Sequence, residues 1–342
     1  MTKRYLGNII TDTPTEPAGP YQNDAASGVW SLAEAFAYTK AGLWPIAGNE
    51  KIIWYGDRGV MAGGYQTNYV NVIEYVTITS AGNAIDFGDL TQTSRSNESA
   101  VSNGSRGVFA NLYNGGASNV IDYITIASTG NATDFGDAYY STINIYAVSD
   151  GVKGYIAGGN SAGIDISTIT IATTGNAVDW GGDVPYSTYR AGAATGSSTR
   201  GLFMGGLDAV PNYLTNIYYI TYASVGNMVS FGDLSTGVYY NNSTGSDTRA
   251  LSIGGTSTGG YVQAIEYITI ATTGNAVSFG NLQAGSSIGG ATSNNVTGIY
   301  AGGYDGVQKN GIQQFTISTT GNTTTFGNLS TAKSGCATTS GN

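Results

Sequence analysis

The chain has no histidine in its 342 residues and a single cysteine, Cys336. Without histidine there are no His-ligated metal sites, no Ser-His-Asp or Cys-His nucleophile systems, and no ordinary proton shuttle near neutral pH. One cysteine excludes an intrachain disulfide. Charged residues are only 10% of the chain and sum to a formal −9, with no basic block. Nucleic-acid binding needs clustered Lys and Arg, so no such partner is expected. No apolar run approaches the ~18 residues of a membrane-spanning helix, so no membrane insertion is expected. Residues Met1 to Asn8 lack the apolar core of a signal peptide.

Glycine is plentiful instead, at 52 residues, about twice its usual share of ~7%. With abundant Thr, Ser, Asn and Tyr, this composition predicts many short strands joined by tight turns. Hydrophobic residues at 41% suffice for a core.

The pattern repeats. A Gly-Asn pair recurs at Gly82, Gly130, Gly175, Gly226, Gly274 and Gly321, at intervals of 48, 45, 51, 48 and 47 residues. Five positions after each Gly stands an aromatic (Phe87, Phe135, Trp180, Phe231, Phe279, Phe326), itself followed by Gly. Nine positions before it is an Ile: Ile73, Ile121, Ile166, Ile217, Ile265 and Ile312. A repeat of this length signals a solenoid or a propeller. Each unit reads as four strands. The first is short and small-residued (Ser96–Ser102, Ala191–Thr195). The second is apolar and ends in Gly-Gly (Gly63, Gly158, Gly205, Gly254 and Gly302 open the doublets), with Asn111-Leu112 in the second copy. The third is an Ile-x-Tyr-Ile-Thr-Ile run (Ile121–Ile126, Ile265–Ile270), apolar on both faces as in a sheet packed between two others. The Gly-Asn pair is expected to supply positive-φ hairpin positions, and the aromatic sits on a short outer strand.

Small residues suit strands crowded around an axis, and large rings suit the wider periphery. The expected fold is therefore all-β: a six-bladed β-propeller of four-stranded antiparallel blades over residues 51–342. The repeats begin in second-strand phase (Arg58–Gly64) and end on a first-strand segment, Lys333–Thr339, which should close the ring and remove exposed edges. The Gly-Gly doublets, the third-strand Tyr75, Tyr123, Tyr219 and Tyr267, and the aromatic-Gly pair resemble kelch-repeat propellers over about residues 52–342. Phe in place of Trp in five copies departs from that pattern.

Residues 1–50 lie outside the repeat and form an expected arm. Extended, Pro-containing chain leads to Ser31-Leu32-Ala33-Glu34, which fits a capping box opening a helix to about Thr39, with Trp30 and Trp44 bracketing it. The text from Ala26 to Leu32, with Trp44-Pro45, resembles the N-terminal regions of tailed-phage virion proteins, especially those of marine cyanophages. The resemblance implies a virion location, with the arm (Trp30 and Trp44 as attachment residues) docking on other virion proteins.

In an up-and-down blade, the loops between second and third strands share one end of the ring with the blade-to-blade connections. These segments are the irregular ones, and variation on one face of a repeat scaffold marks the contact face. Tyrosines crowd there: Tyr139, Tyr140, Tyr186, Tyr189, Tyr239 and Tyr240 on connections, and Tyr65, Tyr113, Tyr213, Tyr261 and Tyr304 on the loops. Tyr pairs a flat apolar face with a hydroxyl and suits sugar rings or protein surfaces. The candidate ligand-binding set is Tyr139, Tyr140, Tyr186, Tyr189, Tyr213, Tyr239 and Tyr240. Paired tyrosines in blades two to four place it off-centre there.

A base precedes the Gly-Gly position in five copies (Arg58, Arg106, Lys153, Arg200, Arg249), with Thr297 in the sixth. Each is expected to pair locally with carboxylates or carbonyls between blades, Asp89, Asp137, Asp183 and Asp233 being candidate partners. Asp150, Asp165, Glu98 and Asp208 are non-repeating acids with no spacing that nominates a catalytic pair. No acid-dense calcium loop occurs. No catalytic residue, metal or cofactor is expected. The reading is a non-enzymatic virion protein displaying a propeller for adhesion to a host-surface glycan or protein, with homo-oligomer formation open. The alternative is a glycan-active enzyme or a free lectin-like propeller.

Overall fold

A computed structural model describes residues 4–6, 28–41, 44, 54–94, 100–110, 115–160, 164–186, 192–208 and 212–342. They fall into two compact units, Met1–Ile52 and Ile53–Asn342.

In the first unit, Arg4–Leu6 pairs antiparallel with Gly28–Trp30, and the helix Leu32–Lys40 follows at once. The expected capping box forms. The Ser31 N–H donates to Glu34 Oε2 at 2.7 Å, and the Glu34 N–H donates to Ser31 Oγ at 3.3 Å. Trp30 is buried, with Tyr38 and Trp44 edge-on to it at 5.4 and 5.6 Å. The helix buries none of its own residues, and Leu32 and Phe36, one turn apart, are 71% and 68% exposed.

The second unit is a six-bladed β-propeller of four-stranded antiparallel blades. Blade one consists of Ala337–Gly341, Arg58–Ala62, Val70–Thr77 and Ile85–Ser94, from inside outward. Blade two is Ala100–Ser102, Arg106–Ala110, Ser118–Thr125 and Thr133–Thr142. Blade three is Tyr146–Ser149, Lys153–Ala157, Asp165–Thr170 and Val178–Asp183. Blade four is Ala193–Gly196, Arg200–Met204, Asn216–Thr221 and Val229–Asp233. Blade five is Asn242–Gly245, Arg249–Ile253, Ala264–Thr269 and Val277–Asn281. Blade six is Gly290–Ser293, Thr297–Ala301, Gly311–Thr316 and Thr324–Asn328. The C-terminal strand closes blade one, with Ala337 opposite Ala62 and Gly341 opposite Arg58. The inner strands begin two to four residues later than the sequence pattern places them. Each blade's apolar faces pack against both neighbours, which divides the core into inter-blade clusters such as Val60, Ile73, Phe87, Phe109 and Ile124.

The Gly-Asn pairs do something other than turn the chain. None of the six asparagines has positive φ, and of the six glycines only Gly130 and Gly175 do, near-extended at 158° and 156°. The turn itself comes just before, where the Ser80 N–H reaches the Thr77 carbonyl at 2.9 Å, with equivalents in every blade. The pair then runs alongside the outer strand of the preceding blade. Asn83, Asn131, Asn176, Asn227, Asn275 and Asn322 each accept through Oδ1 from the N–H of Asn328, Asp89, Asp137, Asp183, Asp233 and Asn281, at 3.0–3.1 Å. The following residue adds a backbone bond, from the Ala132 N–H to the Asp89 carbonyl at 2.8 Å and likewise around the ring. The glycine after each aromatic permits this approach: a Cβ on Gly280 would collide with the Gly321 carbonyl, and one on Gly327 with that of Gly82. Blade three carries an extra residue, so Gly182 rather than Gly181 faces Gly226. Both glycines of the doublets do take positive φ, at 66° and 115° for Gly63 and Gly64 and similar in the other four. Asn111 and Leu112 lie outside the described residues.

The repeated arginines bind carbonyls of the next blade and not Asp89, Asp137, Asp183 or Asp233. Arg58, Arg106, Arg200 and Arg249 donate from Nη1 to Ile126, Ile171, Ile270 and Ile317 at 2.7–3.1 Å. Each guanidinium also lies 4.2–4.9 Å over the third-strand tyrosine of its own blade. Blade three has Lys153 and Thr168 in these places. There Tyr222 of blade four, at the position Ile fills elsewhere, stacks on Tyr155 at 4.8 Å. Its hydroxyl donates to the Ser149 carbonyl at 3.2 Å.

Asn275 is exposed, yet Asn275→Ala should lower the unfolding free energy by about 1 kcal/mol, the worth of one hydrogen bond, where an ordinary surface change stays within ~0.5. Gly280→Ala should cost about 2 kcal/mol or more through overpacking against the neighbouring backbone. Urea titration of both variants measures this, and a Gly280→Ala protein as stable as the parent would remove close approach as the reason for that glycine.

Candidate functional site

The ring has two unlike ends. One carries the hairpins from first to second strand and the Gly-Asn segments. Its hairpin turns are tied by side chains: Asn103, Asp150 and Asn294 each accept two backbone N–H bonds through Oδ1. In blade one Gly341 stands at that position, and Asn342, one residue on, accepts from the Asp57 N–H through Oδ1 at 2.8 Å. Trp54 lies at this end among Ser102, Ser149, Ser293 and Ser340. Its buried indole N–H has no partner among the described residues. Tyr55 beside it reaches Asp247 and Asn295 of the neighbouring turns.

The axial channel is narrow. Two cavities along it measure about 80 Å³ each, lined mainly by Ala, Ser, Thr and Gly, with Trp54, Val101 and Val148 in one and Ile145, Asn241, Asn242 and Cys336 in the other. Small-molecule pockets run to ~300 Å³ and more, so this space suits a few waters.

Several acidic side chains are committed to bonds between blades. In four blades one third-strand position reaches back to the previous blade's outer strand or the residues just after it, while Ser167 of blade three donates to the Ile156 carbonyl of its own blade. Asp122, fully buried, accepts from the Thr91 N–H at 2.7 Å and from its hydroxyl. Glu266 accepts from the Ser235 N–H at 3.2 Å and Gln313 from the Gln283 N–H at 2.9 Å. Glu74 accepts from the Ser330 N–H at 2.8 Å and forms a buried ion pair with Lys333 at 2.6 Å. Burial pushes the Asp122 carboxyl above its ordinary value, against the Thr91 bonds. At Glu74 burial is the largest single influence and also raises, but the Lys333 charge and the hydrogen bonds together hold the carboxyl below its ordinary value. The sequence pattern passed over this position because its residue type changes from blade to blade.

Of the non-repeating acids, Asp150 caps its turn and accepts from the Tyr155 hydroxyl, and Asp165 accepts from the Tyr140 hydroxyl. Asp208 accepts from the Asn212 N–H and side-chain amide at 3.1 and 2.9 Å. Asp150 sits at the hairpin end, and Asp165 and Asp208 sit at the other, so Asp150 pairs with neither. Glu98 lies outside the described residues.

The second end carries the tyrosines. Its loops and connections are stitched by backbone bridges: Tyr65 to Ser334, Tyr239 to Thr256 and Ser287 to Tyr304. Tyr139 and Tyr140 sit on the long outer strand of blade two, 4.8 Å apart, and not on a connection as expected. The hydrogen bond that Tyr140 donates to the Asp165 carboxylate is the main cause pushing the phenol up to about 12. Tyr186 meets the Tyr218 hydroxyl at 3.2 Å. Tyr213 stacks on Tyr239 at 4.9 Å, and Tyr240 adjoins Tyr239 at 4.5 Å. Tyr240 is held there by a left-handed backbone, φ 55°. Tyr261 and Tyr304 meet edge-on at 5.8 Å. Tyr189 and Tyr113 lie outside the described residues. The joined rings are Tyr139 with Tyr140 in blade two, Tyr186 with Tyr218 at blades three and four, Tyr213 with Tyr239 and Tyr240 at blades four and five, and Tyr261 with Tyr304 at blades five and six. The residue that sequence reasoning left out is Trp54, whose signal was a lone Trp just ahead of the first repeat.

Compared with protein-family models and with curated proteins, the chain matches none.

Lys333→Met should cost about 3–5 kcal/mol at pH 7, because Glu74 stays buried with its charge unpaired. The pH response should invert as well. In the parent the Glu74 carboxyl is lowered from its ordinary 4.5, so its stabilisation is present above that value and lost as pH falls through the lower folded one. In the variant, burial alone raises the folded value, so stability at this site falls as pH rises from 5 to 7. Denaturant melts at the two pH values, compared with the parent, check the sign.

Proposed function

We propose that the chain is a non-catalytic display protein of a tailed-phage particle. Residues 1–50 fasten it to other virion proteins, and the propeller offers its tyrosine-bearing end to a host surface. The observation that carries this reading is the contiguous, half-buried set Tyr213, Tyr239 and Tyr240. Three adjoining rings form a preorganised contact surface at low entropic cost.

Other features support it. The buried acids near that end are spent on inter-blade hydrogen bonds, and without histidine no proton-transfer partner accompanies them. The arm helix bears Tyr38 against Trp30 on one side and exposed Leu32 and Phe36 on another. A helix apolar on more than one side calls for a covering partner. The kelch likeness and the virion likeness belong to this proposal and rest on the motifs that carry them.

Deleting residues 1–50 should leave a propeller with an unchanged urea midpoint while abolishing its incorporation into particles; unimpaired incorporation would overturn the attachment role. A Tyr213→Ala/Tyr239→Ala protein, still folded, should lose tenfold or more in adhesion to host cells, since buried aromatic anchors carry over 1 kcal/mol each.

A further inference from the structure

The backbone at the tyrosine end sets several tyrosines in a row. Thr256 is bridged on one side to Tyr239 and paired on the other with Tyr261. Residues directly opposite one another in antiparallel pairs share a face. Two strand separations put Tyr239 and Tyr261 about 9–10 Å apart, the span of two sugar rings. Tyr213 extends the row on one side through its stack on Tyr239. Tyr304 extends it on the other through Tyr261.

The electrostatics of this end are one-sided. Its described cations are Lys309, paired with Asp305 at 2.9 Å, and Lys333, buried against Glu74. The repeated arginines sit at the opposite end, bound to carbonyls. Asp208, with Asn212, adjoins Tyr213 directly. Burial and neighbouring phenols raise Tyr239 from its ordinary value, so that ring stays uncharged across the physiological range. An anionic ligand would meet carboxylates and no free cation among the described residues. An uncharged one meets flat apolar faces, phenol donors, and acceptors at Asp208 and Asn212 with lone pairs to spare.

We infer that the ligand of this face is an uncharged glycan chain, laid along Tyr213, Tyr239 and Tyr261 with its hydroxyls bonded at Asp208 and Asn212. The inference rests on the adhesive reading above and names its ligand class.

The test is a glycan array probed with the full chain, carrying neutral, amine-bearing, and sialylated, sulfated or uronic-acid oligosaccharides of graded length. A parallel measurement records adhesion to host cells before and after periodate oxidation of their glycans. Binding to neutral oligosaccharides, stronger for longer chains and little changed by 0.5 M salt, is the expected result. It should fall about tenfold or more in Tyr239→Ala, as hot-spot aromatics do, and by less in Tyr239→Phe. Binding confined to acidic or to amine-bearing glycans would overturn the inference and leave the adhesive reading standing. So would periodate-resistant adhesion with a silent array. No adhesion to host cells at all would overturn the reading itself.

Discussion

Six backbone-to-backbone approaches hold this ring, each between a Gly-Asn segment and the glycine-bearing outer strand of the blade before it. Each combines a side-chain bond from Asn, a backbone bond from the next residue, and a glycine with no room for a Cβ. Hydrophobic packing alone is non-directional and would tolerate blades sliding on one another. The hydrogen bonds fix the offset, because shifting one blade would strand a donor and an acceptor at every seam. Since blade six meets blade one by the same contact, from the Asn328 N–H to Asn83, an error at any seam would accumulate against closure. This explains why the glycine and asparagine recur even where aromatic identity drifts from Phe to Trp.

Much of this was legible in the sequence, for a physical reason. A residue serving the same contact in every blade must recur at the repeat interval, so the glycines, the arginines and closure by the last strand could be read from spacing. What spacing does not convey is direction. Gly-Asn looks like a turn, and only the φ values show an extended strip docked on a neighbour. The arginines were recognised as inter-blade contacts, but their acceptors are backbone carbonyls, which carry no sequence signature. Trp54 and the Glu74–Lys333 pair occur once each, so periodicity is blind to them.

The seam between blades three and four shows how far the scheme bends. Blade three lacks the arginine and its tyrosine, and blade four has Gly196 where Ser149, Ser293 and Ser340 supply hydroxyls to the preceding inner strand in their blades. One substitution answers both losses. Tyr222 supplies the ring that stacks across the seam and the hydroxyl that reaches the Ser149 carbonyl. A Cβ on Gly196 would press on that hydroxyl, at 3.0 Å. The irregular letters there are mutually compensating, and a repeat consensus imposed on that seam would break a working contact.

The division of labour between the two ends follows from where these contacts lie. The arginine bonds, the turn caps and the Gly-Asn strips all crowd one end, where every residue is tied to the repeat. At the other end the stitching is largely backbone to backbone: Tyr65 with Ser334, Tyr239 with Thr256, Ser287 with Tyr304. A backbone bridge constrains conformation without requiring one particular side chain. Tyrosines can therefore stand at bridge positions, rigidly mounted, with identities that stability does not dictate. Rigid mounting without sequence constraint is what a contact surface needs in order to diverge while its scaffold stays fixed.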